Sequence, residues 1–585
     1  MNSIINIFTK KISAKGLAIF RIAYSLNFLF EIIKIFNYRQ LYFDKLPYLD
    51  THFPDTKLLL LLWMIILIFI IIGFYTRLAT IINYLFTLIF ISSSTNYAYH
   101  MFYVYIGMNF LLIFLPIQKS LSIDVIFKKL KYLGLGLIYV PSKISKINYL
   151  LPVFVGLGIV YLDSVIFYKI QSPMWLRGLG MWLPSSLSHV SIANNQWILN
   201  QELLTKFLSY LTMTFEFMFV FLFWNKKFRI PLLIIGFGLH LGIYIEYPIP
   251  YFAFGCIAIY LLLVPVSWWD KIWNKLKNTK ESLTVFYDSS DIFCQRLKVI
   301  IQSLDVLNRI KFIEYFDVKE SIDKLPEGKK EKIYAVDTEN VSYAKQNLLK
   351  KVVKISPLCF PILFGNKINL YKESINKNSG ATFKKIKLIE VTDDNPYNRK
   401  QDKLRNSILG SFFFLVIVFQ LQVHYSFFDS NSTTYFVNQN LVKYLGICEH
   451  PVFMDDHFKG YNNVYGLKYN NKFLPILNEK GMPDDYLTGG VYVNWLWRVN
   501  KPYVTKDTYS LKKGLMDYSL FWAHRNEIDL SLKQEFEIVR KKINVSFKWE
   551  KDLLRKNIDS PWEKTGILIW KNKNPQFFWD SNSKQ

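Results

Sequence analysis

Eight apolar runs follow one another through the first 270 positions, near 16–36, 57–75, 78–94, 99–117, 149–169, 206–224, 230–246 and 250–268. Crossing about 30 Å of hydrocarbon takes roughly 20 apolar residues in helical form. Each of these runs approaches that length, so the N-terminal half is expected to fold as a bundle of membrane-spanning helices. A ninth run, "SILGSFFFLVIVFQLQV" at 407–423, stands alone further along. The composition agrees: 51% of the 585 residues are hydrophobic and 17% aromatic, with a mean hydropathy of +0.15. Soluble chains of this size are rarely so apolar.

The formal charge of +26 would suggest nucleic acid in a soluble protein. Here the cations fall in the connections instead. Lys10, Lys11 and Lys15 precede the first run; Lys119, Lys128, Lys129, Lys131, Lys143 and Lys146 follow the fourth. "NKKFR", "DKIWNKLKNTK" and "NRKQDKLR" flank later ones. All lie on one side if the N-terminus is cytoplasmic, as the bias of Lys and Arg toward cytoplasmic loops predicts. Anionic lipid headgroups, not nucleic acid, are the partner this pattern implies. With nine spans, residues 424–585 lie outside. The N-terminus runs into its apolar stretch with no small-residue cleavage site, which reads as a retained helix. Heavy use of Ile, Lys and Asn suggests an AT-rich bacterial gene, hence the inner membrane.

Two water-facing regions remain. In 283–395, "SLTVFYD", "CQRLKVIIQSL" and "RIKFIEYF" read as strand, helix and strand, the opening of a small cytoplasmic α/β domain. Short alternating stretches in 424–585, such as "GGVYVNWLWRV" and "INVSFKW", predict a mainly β domain with a few helices. Cys256, Cys294, Cys359 and Cys448 have the spacing of neither a disulfide framework nor a zinc site.

Ionisable residues at membrane depth are costly, and each is a functional candidate. They are Glu31, His100, Asp163, Lys169, Glu216, His240 and Glu246. His100 opens the fourth run and Lys169 closes the fifth, which puts both near the outer side. Lys169 has two readings: a snorkelling anchor, or a base held where water is scarce. Glu216 and His240 fall mid-membrane and could pair with each other. Asp163, six residues before Lys169, lies on another helical face. Trp175 and Trp182 suit a membrane interface. "CEHPVFMDDHF" at 448–458 has ligand-type side chains, but its spacing fits no metal motif and it reads as a loop bounding the exterior domain.

The order of several stretches is similar to a known family. "AIFRIAYSLNFLFEII" with Arg21, "GFYTRLATIINYLF", "YHMFYVYIGMNFLLIFLP" followed by "SID", "FYKIQSPMWLRG" and "GLHLGIYIEYPIPYFAFGCIAIYLLLVP" resemble the HTTM membrane domain. That group contains the vitamin K-dependent gamma-carboxylases, and the likeness covers roughly residues 10–270. It implies that Lys169 is the base that deprotonates a vitamin K or menaquinone hydroquinone, with His100 assisting. It also implies a pocket that includes Glu216, His240, Trp175 and Tyr99. The family reaction uses O2 and CO2 to carboxylate protein-bound Glu, so a secreted peptide or protein is the implied partner. Tyr99 stands where those enzymes commonly have Asn. Alternatives are a non-catalytic scaffold for maturation or export of a secreted peptide, and a transporter.

"VFYDSSDIFCQRLKVI" resembles the opening of the DCC thiol-disulfide oxidoreductases, normally Y-D-G-D-C-P-F-C. Asp288 and Cys294 match, while Asp291 replaces the first Cys. Dithiol exchange needs two sulfurs, so the implied thioredoxin-like fold is expected to serve as a docking module.

Overall fold

The computed structural model describes residues 10–43, 55–92, 99–276, 282–314, 332–367, 389–392, 396–428, 430–460, 462–499 and 508–580. It is mostly helical with small sheets, as an apolar chain requires if every backbone amide is to be bonded without water. Each of the nine apolar runs carries a helix. These are α1 (Lys15–Asn37), α2 (Lys57–Ile72), α3 (Thr76–Phe86), α4 (His100–Leu112), α5 (Ile147–Gln171), α6 (Glu202–Leu222), α7 (Lys226–Glu246), α8 (Pro250–Tyr260) and α9 (Arg399–Tyr425).

Five of these, α1, α5, α6, α7 and α9, are long and apolar enough to cross a bilayer. The expectation of nine such helices is met in part: α2, α3 and α4 are apolar but shorter. The eighth run also differs from expectation. It ends in a 3-10 turn at Leu263, and the chain then bends by 101° into Val266–Leu276. Pro265 explains the break: it cannot donate a helical hydrogen bond and disfavours helix at the residue before it. Val266–Leu276 is amphipathic and exposes Trp268, Ile272 and Leu276. Apolar side chains also point outward along α2, α6 and α7, among them Leu58, Ile65, Phe207, Phe221 and Ile234. A water-soluble helix buries such a face; a lipid-facing one leaves it out. The chain is a membrane protein.

Polar side chains join the helices inside the bundle. Trp63 Nε1 donates to Asn83 Oδ1 at 2.8 Å, and Asn109 Nδ2 to Thr87 Oγ1 at 2.8 Å. The buried guanidinium of Arg21 donates to the carbonyls of Ile117 (2.7 Å), Ser120 (3.3 Å), Leu121 (2.5 Å) and Ile71 (3.3 Å). It fixes the turn after α4 against the turn between α2 and α3. At that second turn Gly73 has φ +70, and a Cβ there would meet Ser122 Cβ at 2.3 Å, so only glycine fits.

The basic connections gather on one face. Lys11–Ile12 pairs antiparallel with Ile144–Ser145, Lys15 bonds Asp270 at 2.6 Å, and Lys119 lies 3.8 Å from Asp402 at the start of α9. The small α/β region sits on this face too, where Lys129 Nζ donates to Ser303 Oγ at 3.3 Å. Among the described residues its sheet has four strands, β1 (Leu283–Tyr287), β2 (Ile310–Glu314), β3 (Ile333–Asp337) and β4 (Ser342–Ala344), in the order β2-β1-β3-β4, while Ile389–Thr392 pairs instead with Leu137–Val140. Within that sheet only β1 and β2 run parallel. Parts of the expected 283–395 domain, 315–331 and 368–388, lie outside the described residues.

The C-terminal region covers the opposite face. It is mixed, not mainly β. An antiparallel sheet orders β5 (Asn463–Tyr469), β6 (Lys472–Phe473), β7 (Gln534–Lys542), β8 (Trp562–Lys571) and β9 (Asn574–Trp579) as β6-β5-β7-β8-β9. Helices Asn431–Asn440, Gly490–Val499, Thr508–Arg525 and Leu553–Asp559 carry more residues than that sheet. "GGVYVNWLWRV" is a helix because its apolar residues bury one side against the bundle, and "INVSFKW" is irregular.

Buried carboxylates fasten this region down. Glu31 accepts from Tyr105 Oη at 2.6 Å and from the Gly490 amide at 3.3 Å. Asp163 accepts from the His424 ring, from Gln420 Nε2 at 2.7 Å and from the His450 amide at 2.7 Å. One side chain of α5 thus holds both α9 and the segment beyond it. Asp163→Ala removes the shared acceptor of the His424 ring, Gln420 and the His450 amide, of which Gln420 alone keeps another, the Cys448 carbonyl, and we expect a loss of about 3 kcal/mol. Thermal unfolding and limited proteolysis between residues 425 and 460 would measure it: cleavage should accelerate there first.

Candidate functional site

Lys169 lies at the end of α5, which is not a uniform helix. π-helical turns at Phe154–Gly158 and Ser164–Tyr168 interrupt it, and a 3-10 turn begins at Lys169. Pro152 within the helix removes one hydrogen bond donor just before the first π turn. Each π turn takes in one extra residue and so rotates later side chains by about 100° relative to an unbroken helix. The result turns Lys169 inward: it is 2% exposed. It is not a snorkelling anchor.

Glu216 and Trp175 hold the ammonium end. Lys169 Nζ donates to Glu216 Oε2 of α6 at 2.5 Å, and it sits 4.3 Å from the centre of the Trp175 ring. Trp175 occupies the turn Pro173–Leu176, which Ser172 caps by accepting from the Trp175 amide at 3.3 Å. Gly180 makes room for the indole, since a Cβ there would meet the ring at 2.3 Å. Trp175 and Trp182 are therefore buried packing residues and not interface anchors. Glu216 pairs with Lys169 and not with His240. His240 Nε2 instead shares a 2.6 Å bond with Tyr161 Oη, which lies 2.8 Å from Tyr260 Oη.

These side chains surround a small cavity of about 50 Å³, lined by Tyr161, Ser164, Lys169, Trp175, Glu216 and His240 among others. Next to it lies a cavity of about 190 Å³ bounded by Tyr99, His100, His189, His457 and Tyr492. Tyr247, Phe252, Val452 and Phe453 border both. Lys169 and His100, expected in one site, thus lie in adjoining chambers. The reason is the C-terminal region: its segment 448–458 enters the seam between the helices and forms part of the dividing wall. A larger groove of about 310 Å³ between α4 and α9 has no titratable side chain in its lining.

The wall segment is pinned along its length. His450 N donates to Asp163, Gln420 to the Cys448 carbonyl (2.8 Å), Trp175 Nε1 to the Phe453 carbonyl (2.8 Å), and Met174 N to Asp455 Oδ1 (3.0 Å). Asp455 also accepts from Ser172 Oγ. Burial pushes the His189 imidazole down to about 3 and that of His450 to about 4, so both are neutral at ordinary pH. The His450 and His100 rings stand 5.8 Å apart. Among the described residues, no three His, Cys, Asp or Glu side chains converge to hold a metal ion.

Sequence reasoning reached Lys169, Glu216, His240, Trp175, His100 and Tyr99 as single residues. It missed Tyr161, Tyr247, Tyr260 and the role of 448–458. A signal for Tyr161 was present: eight residues before Lys169 is roughly two turns of a helix loosened by π turns. The apolar "PVF" inside "CEHPVFMDDHF" is the half-buried part of that loop that borders the cavities.

The second motif has no redox geometry. Asp291 caps the helix Ile292–Leu304, accepting from Phe293 N (2.8 Å) and Cys294 N (3.3 Å), and pairs with Lys332 at 2.6 Å. Asp288 accepts from Ser290 N and Oγ at 2.8 and 2.6 Å. Cys294 is buried, its Sγ donating to the Lys332 carbonyl at 3.3 Å. Burial, with Asp291 adding repulsion, pushes its thiol up to about 12.

No protein-family model, no curated protein and no solved structure matches the chain.

Two outcomes are expected. Glu216→Ala strands a buried ammonium and should cost about 3–5 kcal/mol, whereas the double change Lys169→Met with Glu216→Leu removes both charges and should cost much less. Thermal unfolding of the purified protein would compare them. Cys294 should resist iodoacetamide at pH 8 until the fold opens. Because its thiol is raised from 9.0 to about 12 in the fold, its contribution to stability is full below pH 9 and is lost as pH climbs toward 12.

Proposed function

We propose that this protein is a membrane enzyme in which Lys169 removes a proton from an apolar substrate, with a reduced quinone as the substrate class. The observation that carries this reading is the buried Lys169–Glu216 pair at the wall of a cavity between α5, α6 and α7. A buried ion pair contributes little to stability compared with apolar packing of the same shape. Its retention at membrane depth is a mark of chemistry.

The Lys169 and Glu216 side chains can hold one proton between them in two ways. When Glu216 Oε2 keeps it, Lys169 Nζ is a free amine and accepts a proton from an acidic hydroxyl, leaving the ammonium beside a neutral carboxyl. Trp175 then faces the new cation. The scarcity of water around the pair keeps solvent from supplying that proton instead. The adjoining cavity suits the headgroup of such a molecule: its walls are mainly apolar, with neutral imidazole and phenol groups able to bond ring oxygens. At about 190 Å³ it has room for a ring system and not for a long tail. When bound, a hydroquinone supplies the acidic hydroxyl and, with O2 and CO2, the driving chemistry for glutamyl carboxylation in the enzymes that residues 10–270 resemble.

We read α2, α3, α4 and α8 as crossing the bilayer together with the five longer helices. In this reading the basic face is cytoplasmic, the C-terminal region lies outside a bacterial inner membrane, and the substrate polypeptide is a secreted one. The sheet order β2-β1-β3-β4, with one parallel pair, supports a thioredoxin-like fold for the small α/β region. The single thiol of its motif, Cys294, is buried, which suits docking and not exchange.

Mass spectrometry of secreted peptides co-expressed with the wild-type chain or with Lys169→Met tests the reading. A mass gain of one carboxyl group on glutamate, lost in the variant, is expected. Identical peptide masses from both strains, with both proteins folded in the membrane, would reject it.

A further inference from the structure

We propose that Phe453 is a gate between the two chambers, and that its position decides how large a molecule reaches Lys169. The proposal rests on the function read above, since it concerns access to the same lysine.

The two cavities share four bordering residues. Phe252 belongs to α8. The Tyr247 amide bonds the Ile243 carbonyl at 2.9 Å, and its hydroxyl bonds Ser185 Oγ at 2.9 Å. The Val452 amide is bonded to the His450 carbonyl at 2.8 Å. Phe453 differs. Its backbone lies in the left-handed region at φ 54, which a bulky side chain rarely adopts and which costs about 1–3 kcal/mol. Its carbonyl is held by Trp175 Nε1, the same indole that carries the Lys169 ammonium on its face.

The ring makes apolar contacts and no hydrogen bond: it is tilted against Tyr247 at 5.3 Å and stacked on Phe458 at 6.3 Å between centroids. Rotation about its side-chain bonds therefore breaks no hydrogen bond, whereas turning the Tyr247 side chain aside breaks the bond of its hydroxyl to Ser185. A chamber of about 50 Å³ holds one or two waters, so a ring-sized molecule in the larger chamber meets Lys169 only if the wall opens. Phe453, with a strained backbone tied to Trp175 and no side-chain hydrogen bond to break, is the member of that wall that moves. It is a positioning residue set by the exterior segment, and it makes the active chamber incomplete without the C-terminal region.

The test reads access directly and does not depend on the identity of the substrate. Ser164 lines the Lys169 chamber and is 2% exposed. The full chain carrying Ser164→Cys is reconstituted in nanodiscs and labelled with N-ethylmaleimide. The rate is taken over that of the chain without the substitution, whose described cysteines are all buried. Adding Phe453→Ala should raise the labelling rate at least tenfold, and Phe453→Trp should lower it at least tenfold. Phe453→Leu, which keeps most of the volume, should give an intermediate rise and serves if the alanine variant does not fold. Rates within twofold of each other among folded variants would overturn the gate. A rate that follows Phe453 while no peptide gains mass would uphold the gate and reject the enzymatic reading.

Discussion

Hydrocarbon offers no hydrogen bonds, and three carboxylates buried in this bundle must each find every partner inside the protein. Glu31 takes a phenol and the Gly490 amide; Asp163 takes an imidazole, a carboxamide and the His450 amide; Glu216 takes the Lys169 ammonium. Two of the three reach across to the C-terminal region. The membrane bundle and its cover are thereby one unit, fastened where unmade bonds would be most costly.

That arrangement sets the character of the site. Neither part encloses it alone. The helices bring Lys169, Glu216, His240 and Tyr161 together, and segment 448–458 supplies Val452, Phe453 and His457 to the walls. The same segment divides the space, so His100 and Lys169 stand in separate chambers although both lie toward the covered face. The irregular course of α5 matters equally. A regular helix would turn Lys169 to a different side, and the pair with Glu216 would not form.

The legible part of the fold followed from period and length. Nine apolar runs became nine helices, and the basic connections came to one face, because helices in lipid need only local hydrogen bonds. Bends were less legible. The eighth run reads as one apolar stretch through to 268, past Pro265, and the 101° turn there depends on Val266–Leu276 being amphipathic. In the C-terminal region "GGVYVNWLWRV" alternates well enough for a strand, yet packing against the bundle made it a helix. Local pattern loses to tertiary burial where both periods fit.

Sequence alone determined that the chain is a membrane protein and that Lys169, Glu216, His240 and Asp163 stand in or at the end of apolar runs, where an ionisable group is costly. It did so because the penalty for an ion in hydrocarbon is a property of the residue and its segment, not of its neighbours. Only tertiary structure decided the pairings. Glu216 and His240 were equally able to pair with each other, and Lys169 equally able to reach the headgroups. Contacts across helices distant in sequence, and a loop nearly 280 residues beyond Lys169, selected one arrangement among those that local rules allow. Partner choice is a matter of distance in space, which spacing along the chain does not encode.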